Sequence, residues 1–378
     1  MHIQKAQFHF VIKRIGFLVV QENEKMKKIW WLVAAILAVA LSFVVSSENN
    51  NELMCDKNGD FVILVVSDPQ CDTTTQWHEA RDELETLVKR SNPNFVLING
   101  DMNSYNKIPY DMWELFISPL ENRGIYWSTT NGNHDPYSHK NYNMYKSYKY
   151  CLNDVVNATD VNYESARPMN YVLPVYSNDG ERIVFAIYGM DSGTSNKGGY
   201  EGLTAKQINW YTEQSKKLTL QNGGKAVTSI ICMHIPLPQM LEMYYGGECN
   251  IYGVANEIKF NTKGYSTQNG KTIDKINVHT STLTQDNKMF DAILKLGDIK
   301  AVVFGHNHRN NFIGSYKGVL LGFAGKLSTG CYSDTLCRGG RVIKFNQKAP
   351  QNFTAEWLGA ISGAGDQPPI LSDGTQAK

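Results

Sequence analysis

Five short β-rich runs in this sequence are each followed at once by a cluster of Asp, Asn, Gln or His side chains. Runs of this length and composition are typical of buried strands. If the five strands lie parallel, their polar clusters converge on one rim at the carboxyl ends of the strands, where α/β folds build their sites. The pattern therefore predicts an α/β fold with a polar site on that rim. The runs are FVILVV (61–66), FVLI (95–98), IYWST (125–129), VTSIICM (227–233) and AVVF (301–304).

Helices are predicted between these strands. In Gln76–Arg90 the apolar residues recur at three- and four-residue steps, which gives one apolar stripe that can pack against a sheet. A second helix is predicted at 111–123. Capping signals mark two more, one from Ala205 behind a Thr204-x-x-Gln207 capping box and one at 286–296 before Gly297.

The remaining sequence is less regular. Two further strands are predicted at 183–189 and 319–324. The segments 139–172 and 242–285 show no regular period and are predicted to be long loops. The tail 358–378, with its Gly, Pro and Ser, is predicted to be flexible.

The polar clusters supply seven candidate metal ligands. Carboxylate, amide and imidazole groups suit borderline-hard divalent cations, and the absence of cysteine argues against a structural thiolate zinc site. One shared carboxylate can bridge two ions about 3.5–4 Å apart, a spacing that suits displacement at phosphorus. Asp101 is the bridging candidate because it lies centrally in chain order, and a hydroxide between the ions would be the nucleophile. The candidates are Asp68, Gln70, Asp101, Asn133, His234, His306 and His308.

The same residues resemble a known family, the calcineurin-like metallophosphoesterases. Other segments, such as His-Ile-Pro-Leu-Pro (234–238), are similar to its single-domain, purple-acid-phosphatase-like branch. The resemblance covers about residues 60–347 and implies a β-sandwich of two mixed sheets flanked by helices. The blocks that carry it are Asp68-x-Gln70, Gly100-Asp101, Gly132-Asn133-His134-Asp135, His234 and Gly305-His306-x-His308.

The resemblance also implies a role for each site residue. His134 would face the substrate phosphate or the leaving group, and Asp135 would orient His134 through its second ring nitrogen. Two metal ions would share Asp101. One would bind Asp68, Gln70, Asp101 and His308, and the other Asp101, Asn133, His234 and His306.

Two positions depart from the family pattern. Gln70 stands where the usual residue is His, and an amide oxygen is a weaker ligand than imidazole, so the first ion is expected to be held more loosely. Purple members have a Tyr three residues after the bridging Asp, where this chain has Ser104, and Tyr105 comes one position late. Without that phenolate we expect no ferric charge-transfer band, so Mn, Zn or Fe(II) is favoured.

The ligand set predicts a hydrolase of phosphoesters that uses two divalent metal ions, and first of all a phosphomonoesterase acting on a phosphorylated substrate. A phosphodiesterase acting on a nucleotide, phospholipid or cyclic substrate is the alternative enzyme, because the motifs do not separate the two. A non-catalytic binding or scaffold protein on the same fold is the alternative from another class. The sequence specifies neither the substrate nor the oligomeric state.

The N-terminus is predicted to direct export. Residues 26–46 combine two lysines, an apolar run and a polar end, which is the layout of a signal peptide, and residues 1–25 are interpreted as an N-terminal extension. The apolar run could instead remain as a signal anchor. The protein is thus predicted to be secreted or to enter an endomembrane or vacuolar lumen, or else to be a type II membrane-anchored protein. Sequons at Asn157 and Asn352 agree with export and glycosylation.

Charge gives the mature chain no reason to bind nucleic acid or an anionic membrane surface. Residues 1–46 contain six Lys or Arg and two Glu, and without them the formal net charge changes from +1 to −3. Contact with a membrane is expected only through an uncleaved anchor.

Cysteine usage is consistent with an exported chain. Seven cysteines allow disulfides but leave at least one thiol unpaired. Cys331 and Cys337 are close enough in sequence for a short loop-closing bridge. Cys232, inside the apolar run VTSIICM, is the predicted free and buried thiol.

Overall fold

The computed structural model describes the chain from residue 52 onward, with gaps. For residues 195, 196, 199, 245, 246 and 280–287 it describes the backbone alone. The predicted segments 1–25 and 26–46, the sequon at Asn157 and the side chain of Tyr105 lie outside the described residues. The described residues are 52–102, 104, 109–135, 145, 147–152, 170–196, 199–200, 202–246, 250–256 and 280–377.

Two large mixed sheets form the centre of the described chain. A separate two-stranded ribbon pairs β7 (Ser195–Asn196) with β8 (Gly199–Tyr200). The eight-stranded sheet contains, in spatial order, β1 (Leu53–Met54), β5 (Tyr171–Tyr176), β6 (Ile183–Met190), β9 (Ser229–Met233), β11 (Ile299–Phe304), β13 (Val319–Phe323), β12 (Ile313–Tyr316) and β10 (Ile251–Tyr252). The six-stranded sheet contains β16 (Gln367–Leu371), β15 (Thr354–Gly359), β14 (Gly339–Asn346), β2 (Asp60–Val66), β3 (Phe95–Asn99) and β4 (Tyr126–Thr130).

The strands that precede the polar clusters are parallel within each sheet, as the sequence predicted. In the six-stranded sheet β2, β3 and β4 run parallel, with Val66 beside Ile98 and Asn99 beside Thr130. In the eight-stranded sheet β9 and β11 run parallel, with Met233 beside Phe304. The carboxyl ends of three strands in one sheet and two in the other therefore carry the candidate ligands.

The two sheets pack face to face and helices cover their outer faces. A core cluster between the sheets combines side chains from both, and Phe185 of β6 stacks on Phe345 of β14 with ring centroids 4.2 Å apart. The predicted α/β sandwich of two mixed sheets flanked by helices is confirmed. The helices are α1 (Thr74–Ser91), α2 (Tyr110–Glu121), α3 (Ala205–Gln221), α4 (Gln239–Gly246) and α5 (Thr280–Leu296).

Helix starts follow local capping chemistry. The predicted box at the start of α3 is present, because the Thr204 side chain accepts from the Gln207 backbone and the Gln207 side chain accepts from the Thr204 backbone. Helix α1 has an equivalent box formed by Thr73 and Gln76. Two boundaries differ from prediction, since α5 begins at Thr280 and α4 extends into the segment 242–285 that was predicted to be a loop.

The prediction of a flexible tail over 358–378 is wrong. Strand β16 pairs antiparallel with β15, placing Ile370 beside Ala355, and Ile370 is buried. The Pro and Gly content that suggested a loose tail is compatible with this position, because β16 is an edge strand and Pro is tolerated there. The folded domain therefore continues beyond residue 347 to the end of the described chain.

The cysteine predictions had different outcomes. Cys232 is a free thiol and fully buried, as predicted. Cys331 is a free, exposed thiol, so the predicted Cys331–Cys337 bridge is wrong. Burial raises the pKa of the Cys232 thiol, which keeps it protonated and unreactive.

None of the described helices is both long enough and apolar enough to cross a bilayer.

Candidate metal centre

The rim where the two sheets meet brings the predicted ligands together. Asp68, Gln70, Asp101 and Asn133 follow β2, β3 and β4 of the six-stranded sheet. His234 follows β9, and His306 and His308 follow β11, in the eight-stranded sheet. Six of the seven residues are buried and Asn133 is half-buried.

Asn99, at the end of β3, joins the two sheets directly beneath this site. Its Nδ2 donates to the backbone oxygens of Met233 (3.0 Å) and Val303 (3.2 Å) in the opposite sheet. Its Oδ1 accepts from Thr130 Oγ1, and its backbone oxygen lies 2.8 Å from His234 Nδ1. Asn99 is completely buried, so it fixes how the ligands of one sheet face those of the other.

Ligand turns adopt the left-handed backbone region, which is costly for residues other than glycine. Asp68, Gln70, Asp101 and His306 have φ values of 53°, 40°, 53° and 71°. Such conformations cost on the order of 1–3 kcal/mol each and concentrate at functional sites. Gly132 is required beside them, because a Cβ there would lie 2.1 Å from Asp101 Oδ1.

Two triads of ligand atoms share the Asp101 carboxylate. Within each triad the atoms lie within 4.8 Å of one another. His308 Nε2 lies 3.3 Å from Asp68 Oδ1, and His234 Nε2 lies 3.2 Å from Asp101 Oδ2. The triads are Asp68, Asp101 and His308 on one side, and Asp101, His234 and His306 on the other.

Among the described residues, Gln70 Oε1 and His306 Nε2 are buried without a hydrogen-bond partner. Asp68 Oδ1 and His234 Nε2 have only the ion-pair contacts within the cluster. Buried polar atoms are almost always paired, so converging oxygen and imidazole nitrogen atoms of this kind suit a bound ligand. Oxygen and imidazole nitrogen atoms of this kind bind hard or borderline metal cations. The residues present therefore fit a metal centre.

The other ring nitrogen of each histidine is fixed by a neighbouring oxygen. His234 Nδ1 lies 2.8 Å from Asn99 O, and His308 Nδ1 lies 2.9 Å from Tyr332 O. His306 Nδ1 lies 2.9 Å from Asn133 Oδ1. These contacts turn all three Nε2 atoms toward the centre, which is the usual way that proteins orient metal-binding imidazoles.

Electrostatic interactions among the buried side chains set the charge of these candidate ligands. Burial lowers the pKa of His306 to about 3, so this imidazole is neutral. Burial also opposes the charged form of His234, but the Asp101 and Asp68 carboxylates outweigh it and raise its pKa to about 10. In turn His234 holds the pKa of Asp101 below its usual range against the effect of burial, so the shared carboxylate is ionised.

The predicted contact between Asp135 and the His134 ring is wrong. Both Asp135 oxygens are taken by backbone donors, from Asp101 N (2.7 Å), Gly132 N (2.8 Å) and Met102 N (2.8 Å). Asp135 therefore stabilises the turns that present the ligands. His134 is exposed, as expected of a group that meets substrate, and its Nδ1 lies 3.1 Å from the backbone oxygen of Ser104.

Gln70 lies inside the centre, with its amide nitrogen directed at the Asp101 carboxylate. Its Nε2 donates to Asp101 Oδ2 (3.0 Å), and its Oε1 is one of the unpartnered atoms. The amide thus restrains the shared carboxylate and leaves a neutral oxygen free to face a cation.

A segment after β13, which the sequence analysis missed, holds the Asp68 turn in place. Lys326 Nζ donates to Asp68 O (2.8 Å), Leu327 N donates to Ser67 O (3.1 Å), and Ser328 Oγ donates to Pro69 O (2.5 Å). Three consecutive carbonyls are therefore held by three consecutive residues. The available signal was the position of Lys326 just past the predicted strand 319–324, the same signal that marked the ligands.

Comparison with known proteins identifies the family of this chain. The family model "Calcineurin-like phosphoesterase" matches residues 61–310, which is more than half of the chain. The chain belongs to the calcineurin-like phosphoesterase family. The matched range contains all seven predicted ligands, so this candidate centre lies within the part of the chain that matches the family.

Curated relatives of this calcineurin-like phosphoesterase come from Arabidopsis thaliana. "Probable inactive purple acid phosphatase 29" is 23% identical over 328 residues, which cover 77% of each chain. "Probable inactive purple acid phosphatase 14" is 21% identical over 344 residues, covering 78% of this chain and 79% of the relative. A solved dimetal phosphatase from Danio rerio has a TM-score of 0.48 at 10% identity, covering 83% of this chain and 99% of that one.

Proposed function

We propose that this protein is a phosphomonoesterase that works with two divalent metal ions. The observation that supports this most is the pair of ligand triads that share Asp101 and enclose buried atoms without partners. Two divalent ions held by these residues would supply Lewis acidity toward a phosphoryl group and lower the pKa of bound water. Mn, Zn or Fe(II) suits the oxygen and imidazole donors, and Ser104 at the position of the purple-type Tyr argues against a ferric ion.

Three residues around that centre would each have a separate role. The exposed His134 would contact the phosphate or give a proton to the leaving oxygen, since its Nδ1 is held by Ser104 O and its Nε2 is the nitrogen left for the substrate. Asp135 would accept hydrogen bonds from backbone N–H groups and so keep the turns at Asp101 and Gly132 rigid. Asn99 would keep the two ligand-bearing sheets at a fixed separation.

The proposed activity is tested with matched aryl monoester and diester substrates. The protein loaded with Mn or Zn is expected to release phosphate from para-nitrophenyl phosphate faster than it cleaves bis-para-nitrophenyl phosphate. Faster cleavage of the diester would instead support the phosphodiesterase alternative. No turnover of either substrate by protein that holds metal would contradict both.

The names of the Arabidopsis relatives make a non-catalytic protein on this fold the alternative to exclude. His134→Ala separates the cases, because His134 is exposed and belongs to neither ligand triad. The variant is expected to retain its metal content and lose most of its phosphatase activity. A scaffold protein would have no metal-dependent activity for this substitution to remove.

Gln70 gives a prediction about the proposed ion beside Asp68. Replacing Gln70 by His is expected to tighten binding of the weaker ion by on the order of tenfold, because imidazole is a stronger ligand than a neutral amide oxygen. Competition against a fluorescent chelator measures both affinities. Gln351→His, at an exposed loop position, is the matched control and is expected to change neither. Unchanged or weaker binding in Gln70→His would show that residue 70 does not reach the ion.

Export is proposed from the N-terminal segment 26–46 and the exposed sequon residue Asn352. The expected locations are the outside of the cell or an endomembrane or vacuolar lumen, with type II anchoring as the alternative. N-terminal sequencing of the natural protein tests this, because a start near residue 46 indicates cleavage, whereas retention of residues 26–46 indicates an anchor.

A further inference from the structure

The two carboxylate oxygens of Asp68 have different surroundings. Oδ2 accepts two hydrogen bonds, from Ser67 Oγ (2.5 Å) and from the backbone N–H of His306 (2.9 Å). Oδ1 lies instead among the candidate ligand atoms, 3.3 Å from His308 Nε2 and 3.7 Å from His234 Nε2. Asp68 is completely buried, so bulk water does not reach either oxygen. Oδ1 is therefore the oxygen that this carboxylate can offer to a cation.

The hydroxyl of Ser67 donates its proton to Asp68. Ser67 is the first residue after β2 and is completely buried. Its Oγ lies near two oxygens, Asp68 Oδ2 at 2.5 Å and Asn99 O at 2.8 Å, but it carries a single proton. The shorter contact has the length of a hydrogen bond to an ionised carboxylate, roughly 2.5–2.7 Å. Asn99 O also has His234 Nδ1 at 2.8 Å, so it does not depend on this proton.

Three other segments fix the position of this hydroxyl and this carboxylate. A Cβ on Gly305 would lie 2.1 Å from Ser67 Oγ and 2.8 Å from Asp68 Oδ2, so only glycine leaves room for the pair. Ser67 O accepts from Leu327 N (3.1 Å), and Asp68 N donates to Gly100 O (3.0 Å). The bond between Ser67 and Asp68 is therefore already formed before any cation binds.

Resting on the proposed two-ion function, we propose that Ser67 is a positioning residue that holds Asp68 as a ligand through Oδ1 alone for the ion beside Gln70. With two donors on Oδ2, the carboxylate does not turn about its Cβ–Cγ bond to present the other oxygen. Hydrogen-bond partners of metal ligands typically contribute roughly 10- to 100-fold to metal affinity. Asp68 belongs to the triad with Asp101 and His308, so the effect of Ser67 falls on that side of the centre.

The chain offers a matched control for this serine. Ser229 is also completely buried, and its Oγ donates to Val227 O (2.7 Å). It begins β9 and so lies at the opposite end of that strand from His234. Ser229→Ala removes a buried hydroxyl and its hydrogen bond away from the candidate ligands. Both alanine variants are expected to stay folded, because alanine is smaller than serine and leaves no charge without a partner.

The test measures the affinity of each Mn²⁺ ion for the full-length protein. Competition against a fluorescent chelator gives the two affinities, and anomalous peak occupancies in crystals soaked at graded Mn²⁺ concentrations assign each affinity to a side. Ser67→Ala is expected to weaken binding of the ion beside Gln70 about tenfold and to leave the ion beside His234 and His306 unchanged. Ser229→Ala should change neither affinity. No weakening in Ser67→Ala, or equal weakening of both ions, would overturn the role of Ser67.

The same crystals show whether the carboxylate has turned. In Ser67→Ala we expect Asp68 Oδ2 to move toward the ion, whereas an unchanged carboxylate would mean that the His306 backbone holds it without Ser67. These measurements need no substrate, so they are separate from the proposed activity. If phosphate esters are not hydrolysed but the one-sided loss is present, the phosphatase function fails and the role of Ser67 stands. If hydrolysis proceeds and the loss is absent, the reverse holds.

Discussion

Replacing Asp101 by Asn is expected to remove metal binding on both sides of the centre and to lower kcat/KM for phosphomonoesters by at least about 10³-fold. Asp101 is the residue that the two ligand triads share, so the substitution weakens both at once. Its Oδ2 also accepts from Gln70 Nε2 and lies 3.2 Å from His234 Nε2. Metal content after gel filtration and para-nitrophenyl phosphate turnover are the measurements.

A buried aspartate outside the centre provides the control for this substitution. Asp298 lies just before β11, at the end opposite His306, and accepts from Tyr211 Oη (2.6 Å). Asp298→Asn is expected to lower stability while leaving the metal content of the folded protein unchanged. If Asp101→Asn retained both ions, or retained wild-type turnover, the assignment of Asp101 as the shared ligand would be wrong.

Replacing Asn99 by Leu is expected to destabilise the fold by about 3–5 kcal/mol. The substitution leaves three buried partners without their hydrogen bonds, namely the backbone oxygens of Met233 and Val303 and the hydroxyl of Thr130. Each unsatisfied buried group costs about 1–3 kcal/mol, and leucine supplies neither the donor that the two carbonyls need nor the acceptor that the Thr130 hydroxyl needs. Urea unfolding of the metal-free protein measures the change in the free energy of unfolding.

Asn346 allows the matched comparison, because it also bonds through Nδ2, but at the surface. It donates to Asp60 Oδ1 (2.7 Å) and to Asn58 O (3.2 Å), and water can replace both bonds. Asn346→Leu is therefore expected to cost less than about 1 kcal/mol. Equal effects of the two substitutions would mean that Asn99 does not hold the sheets together.

The position of the site could be predicted from sequence because it depends on a repeated local pattern. Each ligand follows a short apolar strand, and parallel strands bring their carboxyl ends to one rim. The α3 capping box was predictable for a similar reason, since Thr204 and Gln207 act within a single turn of chain. Patterns of this kind can be recognised from the residue types and their spacing in the sequence alone.

Other features depend on partners that spacing does not reveal. Asn99 bonds to residues 134 and 204 positions away in the chain, so its role is visible only after the sheets have packed. Asp135 was assigned to the His134 ring, but it binds backbone N–H groups, which every sequence contains. Strand β16 was missed because the Pro and Gly content of the tail suggested a loose segment, whereas an edge strand tolerates proline.

The most direct test of the two-ion centre is anomalous diffraction from crystals of the protein soaked in Mn²⁺. We expect two anomalous peaks roughly 3.5–4 Å apart, both in contact with the Asp101 carboxylate, with the peak beside Asp68 and Gln70 at lower occupancy. A single peak, or two peaks that do not share Asp101, would contradict the account.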